Sequence, residues 1–202
     1  MNGSIKRAGI IVGILAAALA VFFAMSIAAP QASMAQETGK PHWILELKDG
    51  TVDIELLPDL APNHVARVIE LTNQGLYNNV VFHRVIDGFM AQGGDVQYGN
   101  AETGNLALAG TGASTLPDLK AEFTNEVKFA RGVVAAARTN DPDTGNSQFF
   151  IMFADAPWLD GQYTIWGKVV SGMDVVDKIK KGDGDQPVVN PDKIISATIK
   201  YE

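Results

Sequence analysis

No cysteine occurs anywhere in the 202 residues. That excludes a disulfide framework, a thiolate metal centre, a cysteine nucleophile and a lipid-modified N-terminal cysteine. It does not argue against export, because a domain of this size buries enough surface without covalent staples. Histidine is almost as scarce. His42, His64 and His83 stand far apart, with none of the paired spacing that a metal site uses. There is no Gly-x-Ser-x-Gly elbow around Ser147 for nucleophilic hydrolysis. Gly93-Gly94-Asp95 and Gly110-Thr111-Gly112 lack the lysine that a phosphate-cradling loop requires. Basic residues are also in deficit, 16 against 23 acidic. Two of the sixteen, Lys6 and Arg7, precede the first acidic residue, so residues 36–202 carry a net charge of −9. Such a surface repels phosphate backbones, and nucleic-acid binding is excluded. Neither internal repeats nor low-complexity tracts are present.

Charge is missing altogether from Ala8 to Ala29, an apolar run just after Lys6 and Arg7. Small residues follow, and Ser33 and Ala35 occupy the two positions that would precede a cut ahead of Gln36. A positive start, an apolar middle and a small-residue exit make residues 1–35 a secretory signal peptide. The run also reaches the roughly 20 residues that span a bilayer, so an uncleaved anchor is the rival reading. The remaining chain is expected to be periplasmic, either released or held at the inner membrane and facing the periplasm. Residues 36–42 then form a short linker and residues 43–202 one domain.

Within that domain, Trp43, Leu45 and Leu47 alternate with polar residues, and Asp49-Gly50 supplies a turn. Val52, Ile54 and Leu56 resume the alternation, which predicts a hairpin. From Pro62 to about Asn73, Val65, Val68 and Ile69 form one helical stripe, and Gly75 is its stop. Strand-like runs follow at 80–86, 89–92, 132–138, 148–153, 164–170 and 193–200. A second helix fits 173–180, with Val175, Val176 and Ile179 inward. Segments 99–119 and 139–146 read as ordered loops. Many short strands with two helices predict an antiparallel sandwich or closed barrel.

One residue stands out chemically. Arg84 carries a permanent charge among Phe82, Val85, Ile86, Phe89 and Met90, followed by Gln92 and a glycine pair. Such a charge is costly to desolvate and needs a partner, water or a task. Alone, each large apolar neighbour reads as core packing. Downstream, Ser147-Gln148-Phe149-Phe150-Ile151 sets an amide beside two aromatics, and Trp158-Leu159-Asp160-Gly161 puts two bulky groups on a turn.

In these three blocks, taken in order, the chain resembles the cyclophilin-type peptidyl-prolyl cis-trans isomerases from about Trp43 onward. The resemblance implies a mainly β fold, a closed eight-stranded antiparallel barrel capped by two α-helices, with the active face outside. It implies rotation about X-Pro bonds without a cofactor or metal, and Arg84 as the catalytic guanidinium. Phe89, Met90, Phe150 and Leu159 would line a proline pocket, with Phe82, His83, Trp158 and Tyr163 around it. Gln92 and Gln148 would hold the substrate backbone, helped by the chain near Ala137. The implied partners are proline-containing polypeptides, among them unfolded or nascent exported proteins, and a cyclosporin-like inhibitor. The protein is expected to be a monomer. Asp87 stands where proline is common, Ala136 where methionine is common and Tyr163 where some members carry histidine. Arg138-Thr139 replaces Asn-Ala, and the 99–119 loop is longer than usual. A groove of this kind serves equally for a proline-segment binding chaperone or assembly module in which turnover is incidental.

Mass spectrometry of the exported protein is expected to find Gln36 at the mature N-terminus. Retention of Lys6 and Arg7 would instead mark the anchored form.

Overall fold

The alternation that predicts the first hairpin is carried through by the structure, a computed structural model that describes residues 39–202. The leader-or-anchor segment lies outside the described residues, and among the described ones no helix is long and apolar enough to cross a membrane. Strand β1 (Pro41–Leu47) turns at Lys48-Asp49 into β2 (Gly50–Leu56). Trp43, Leu45, Val52 and Ile54 all point into the core and are fully buried. Pro41 and His42, expected in a linker, already belong to β1. His42 pairs with Glu55 on one side and Lys200 on the other, so backbone pairing on both flanks fixes it.

Helix α1 spans Pro62–Asn73 and buries His64, Val65, Arg67, Val68, Leu71 and Thr72. Pro62 suits a first turn, where its missing N–H is no loss. Its N-cap, Ala61, has no side chain to satisfy the first amides. That task falls to Glu122, whose carboxylate accepts from the backbone N–H of Asn63 and of His64, both at 3.1 Å. Gly75, at φ +71°, follows the helix as the sequence suggests.

Six further strands complete the sheet: β3 (Arg84–Ile86), β4 (Met90–Gly93), β5 (Val133–Ala136), β6 (Phe149–Met152), β7 (Ile165–Ser171) and β8 (Ser196–Tyr201). Their order is β3-β4-β6-β5-β7-β2-β1-β8, and every pairing is antiparallel. Helix α2 is Met173–Val176. It is shorter than predicted because Lys178 and Ile179 bond three residues back instead of four. Val175, Val176 and Ile179 are nonetheless buried, so the inward face is the expected one.

Two expectations need correction. The sheet curls into a half-barrel and is not closed by a strand ladder: its end strands, β3 and β8, are unpaired with each other. Only isolated contacts span the gap, among them the Val81–Lys193 bridge and the N–H of Phe82 donating to Asp192 O at 2.9 Å. Pro187 and Pro191, with Asn190 at φ +49° between them, interrupt the segment that would have to form that ladder. The predicted strand 80–86 is likewise reduced to Arg84–Ile86. Phe82 and His83 lie outside any ladder, and that break matters for the site.

Strands β5 and β6 are buried throughout, because the sheet is covered on both faces. Their side chains alternate between two clusters. Val134, Ala136, Phe149 and Ile151 join the interior core with Trp43, Tyr77 and Trp166. Val133, Ala135, Phe150 and Met152 join a smaller outer cluster with Met90, Phe129 and Ile165. The inner core is locked by aromatic edges, with Trp43 at 5.0 Å from Tyr77 and 4.9 Å from Phe149.

Loop 139–146 is pinned to α1. His64 Nδ1 lies 2.7 Å from Glu122 Oε2, and the ring is pressed against Gly145. A Cβ at residue 145 would sit 2.6 Å from His64 Nε2, and the Glu122 contact prevents the ring from swinging away. Gly145→Ala is therefore expected to cost about 1–3 kcal/mol by overpacking, measurable as a lower urea midpoint with an unchanged slope.

Candidate active site

Antiparallel register places side chains directly opposite one another on the same face of a sheet. Here it builds a row across four strands: Arg84 opposite Gln92, Gln92 opposite Phe150, and Phe150 opposite Ala135. All four therefore face outward, onto the outer cluster. Val85 and Ala91, between them in sequence, face the inner core. The arginine and the amide thus stand at the rim of an apolar patch that the sheet itself displays.

That patch is concave. A cavity of about 240 Å³ is lined by Arg84, Phe89, Met90, Gln92, Ala137, Arg138, Phe150, Leu159 and Tyr163. Phe150 meets Tyr163 edge-on at 5.5 Å and stacks on Phe129 at 6.1 Å, which makes a rigid aromatic floor. Leu159 is brought in by the short 3-10 turn Pro157–Leu159. Trp158, in the same turn, is 61 % exposed and lies over Phe89 with ring centroids 6.2 Å apart. It stands at the rim and not in the wall.

The polar side of the cavity is a relay of amides. Gln148 Nε2 donates to the carbonyls of Gly110 (3.0 Å) and Gly112 (2.8 Å). Two acceptors can only be met by the NH₂ end, so Gln148 Oε1 must face Gln92, whose Nε2 donates to it at 3.0 Å. Gln92 Oε1 is then turned to Arg84, with Nη1 at 3.5 Å. Every amide orientation in the relay follows from the two loop carbonyls. Those carbonyls are placed by Asp95, fully buried, which accepts from the N–H of Gln97, Tyr98, Gly110 and Gly112 at 2.7 to 3.0 Å.

Phe82, His83 and Gln148 do not line that cavity. Phe82 belongs to the inner core, where it meets Phe149 at 6.2 Å. The irregular step at Phe82-His83 breaks the two-residue alternation, so Phe82 does not share the face of Arg84. His83 is 6 % exposed, packs against Gly110 and lines a neighbouring cavity that also touches Arg84 and Gln92. Neither ring nitrogen has a hydrogen-bond partner among the described residues. Gln148 lines not the apolar cavity but an adjoining cleft of about 290 Å³, which shares Gln92, Ala137 and Arg138 with it.

The sequence reading missed three contributors. Arg138 was noted only as a departure, yet its guanidinium covers the Tyr163 ring at 4.4 Å and donates to Gln162 O. Asp95 was noted only as part of a glycine-rich run. Asp185, whose Oδ1 is 2.6 Å from Arg84 Nη2, is 101 residues away in sequence and gave no local signal.

Burial pushes the His83 imidazole down from 6.5 to about 4, against the pull of the Asp95 charge. The unfolded chain therefore takes up the proton first as pH falls. The stability due to neutral His83 is complete above about pH 6.5 and is lost between there and about pH 4. His64, also depressed by burial, acts in the same direction. Between pH 7 and 5, His83 alone should remove about 2 kcal/mol of unfolding free energy, and His83→Gln should flatten the pH profile by that amount in urea titrations.

Comparison with known proteins places this geometry. The family model described as cyclophilin type peptidyl-prolyl cis-trans isomerase/CLD matches residues 42–199. A Brucella suis protein named "Probable peptidyl-prolyl cis-trans isomerase" is 57% identical over 190 residues, 93% of this chain and 96% of its own length. A Helicobacter pylori peptidyl-prolyl cis-trans isomerase is 40% identical, over 72% of this chain and 83% of its own. Among solved structures, a cyclophilin from Hirschia baltica superposes with a TM-score of 0.65 at 32% identity, covering 78% of this chain and 73% of that one. A Cryptosporidium parvum cyclophilin type peptidyl-prolyl cis-trans isomerase, solved in the presence of the dipeptide Ala-Pro, gives 0.65 at 26% identity and covers 80% and 99%.

Proposed function

The chain belongs to the cyclophilin-type peptidyl-prolyl cis-trans isomerases, and from that premise we propose that Arg84 is the group that lowers the barrier, acting on proline-containing segments of exported polypeptides. The observation that carries this reading is the row Arg84–Gln92–Phe150, which sets a guanidinium and an oriented amide beside one aromatic-floored cavity.

A peptide bond resists rotation because nitrogen shares its lone pair with the carbonyl, giving a barrier of about 18–20 kcal/mol. As an X-Pro bond twists, that pair localises on the proline nitrogen and becomes a hydrogen-bond acceptor. Arg84 can donate to it, and the bond strengthens toward the twisted state, so it favours the transition state over the planar ground state. The planar fork of arginine never loses its proton, which suits it to this better than lysine. Phe89, Met90, Phe150 and Leu159 seat the ring and exclude water, which strengthens the donated bond. Gln92, fixed through Gln148, offers the adjoining backbone a preset amide.

Uncatalysed isomerisation takes tens to hundreds of seconds. A turnover near 10³ s⁻¹ asks for roughly 7 kcal/mol of barrier lowering. One charge-assisted hydrogen bond, together with desolvation and a clamped backbone, is of that order.

The export reading is supported by the Lys6-Arg7, apolar run and Ser33-x-Ala35 layout. It makes unfolded periplasmic chains the natural substrates and gives the protein a chaperone-like role. A site built by one chain supports action as a monomer. The wall that a cyclosporin-like inhibitor would meet differs from the usual pattern at Tyr163 and Arg138, both of which line the cavity.

Arg84→Ala should lower isomerisation of an Ala-Pro peptide at least tenfold in a protein that keeps its circular dichroism and unfolding midpoint. An unchanged rate in that folded variant would sink the catalytic role. A lost rate with full peptide affinity and full biological function would instead identify the groove as a binding module.

A further inference from the structure

Strand β3 ends the sheet, so one side of it has no neighbouring strand. Open carbonyls on such an edge need a partner. They find it in the segment after α2. The N–H of Gly182 donates to Val85 O at 2.8 Å, and that of Val188 donates to His83 O at 3.0 Å. These two carbonyls flank Arg84 in sequence. The strap is thus fastened on either side of the arginine, to Val85 of β3 and to His83 just before it, and loops outward between its two attachments.

The loop itself is built and not loose. Gln186 N–H donates to Asp183 O at 3.1 Å and closes the turn. Gly182 admits no side chain, since a Cβ there would lie 2.8 Å from Gln186 O and 3.3 Å from Val85 O. At the apex stands Asp185, its carboxylate 2.6 Å from Arg84 Nη2.

The two ends of the guanidinium are therefore treated differently. Nη2 is held by a charged partner at short range. Nη1, on the groove side, has only Gln92 Oε1 at 3.5 Å and Met90 Sδ at 4.0 Å. From this asymmetry we infer that Asp185 is a positioning residue for the isomerase reaction. It anchors the outer end of the Arg84 fork so that the inner end faces the groove with its donors weakly engaged. The inference rests on Arg84 being the donor to substrate. A carboxylate that competed with substrate would have to engage the groove-facing nitrogen, and this one engages the other. Anchoring matters because a long side chain otherwise gives up rotamer freedom each time it forms a bond. Its size is bounded by exposure: Arg84 is 36 % and Asp185 76 % exposed at the side chain. A pair this open shifts an equilibrium by about two- to fivefold.

The test uses the full chain and an Ala-Pro peptide, with kcat and KM separated by NMR exchange. Asp185→Asn should lower kcat about two- to fivefold with KM and unfolding midpoint unchanged. Raising ionic strength to about 1 M weakens an exposed pair without abolishing a contact this short, so it should slow the native protein by less than the substitution does and leave Asp185→Asn unaffected. In an Arg84→Ala background, Asp185→Asn should change nothing further. An unchanged or raised kcat in Asp185→Asn overturns the inference, as does an equal loss in both backgrounds, which would mean a merely structural role. If Arg84→Ala is itself fully active, the donor assignment falls and this inference with it. If Arg84→Ala is impaired while Asp185→Asn is not, only the positioning role is lost.

Discussion

A single buried carboxylate organises the polar half of this site. Asp95 has no access to solvent, and leaving it unsatisfied there would be prohibitive. It is satisfied by four backbone N–H groups, two from its own turn and two from Gly110 and Gly112 across the loop. Charge-assisted bonds of this kind are about twice as strong as neutral ones. They gather a long loop around one point. The carbonyls of the same two glycines then face outward and fix Gln148, which fixes Gln92, which faces Arg84. The Gln92 amide is thus oriented by a carboxylate that it does not touch.

The apolar half rests on a different device. Antiparallel sheets commonly bury one face and wet the other. Here β5 and β6 are buried on both, and strict alternation splits their side chains between an inner core and an outer cluster. The outer cluster is too small to be a second core and too apolar to face water unaided. It is covered partly by the 3-10 turn at Pro157–Leu159 and by Tyr163, and the part left open is the cavity. A binding pocket arises as the uncovered remainder of a hydrophobic layer, which explains why its floor is rigid: the residues that form it also pack the sheet.

How far this was legible in the sequence depended on the range of the interactions. Period-two alternation is local, so the first hairpin could be read directly, whereas β5 and β6 are apolar throughout and carry no alternation that assigns their faces. The resemblance supplied the ordered blocks that join Arg84 to Phe150 and Leu159. Phe82 was placed around the pocket by the resemblance alone; the interruption at Phe82-His83 turns it into the core instead, since one irregular residue is enough to reverse a side chain. Closure of the barrel failed for a related reason: Pro187, Asn190 and Pro191 act against a ladder, but only in the context of which strand they would have to join. Asp95, Arg138 and Asp185 were not legible as site residues, since each acts through partners brought near by the fold.

A guanidinium serving as a hydrogen-bond donor faces opposing demands. Buried fully, it would carry a desolvation penalty that no neutral substrate could offset. Exposed fully, its donors would be saturated with water and add little to a twisted peptide. Placement on the end strand resolves this. An edge position leaves Arg84 about one-third exposed, with its stem on the apolar rim and its head at the boundary. The same edge would be a liability for pairing with other chains, and the segment 182–188 covers it. Covering the edge therefore does two things at once: it occupies the sheet's unpaired side, and it brings Asp185 to the arginine. The interruption at Phe82-His83 belongs to the same solution. A regular strand through 80–86 would have kept Phe82 on the outer face beside Arg84, adding bulk where the groove needs an open donor. Turning Phe82 inward commits it to the core and leaves the arginine unshielded on that side.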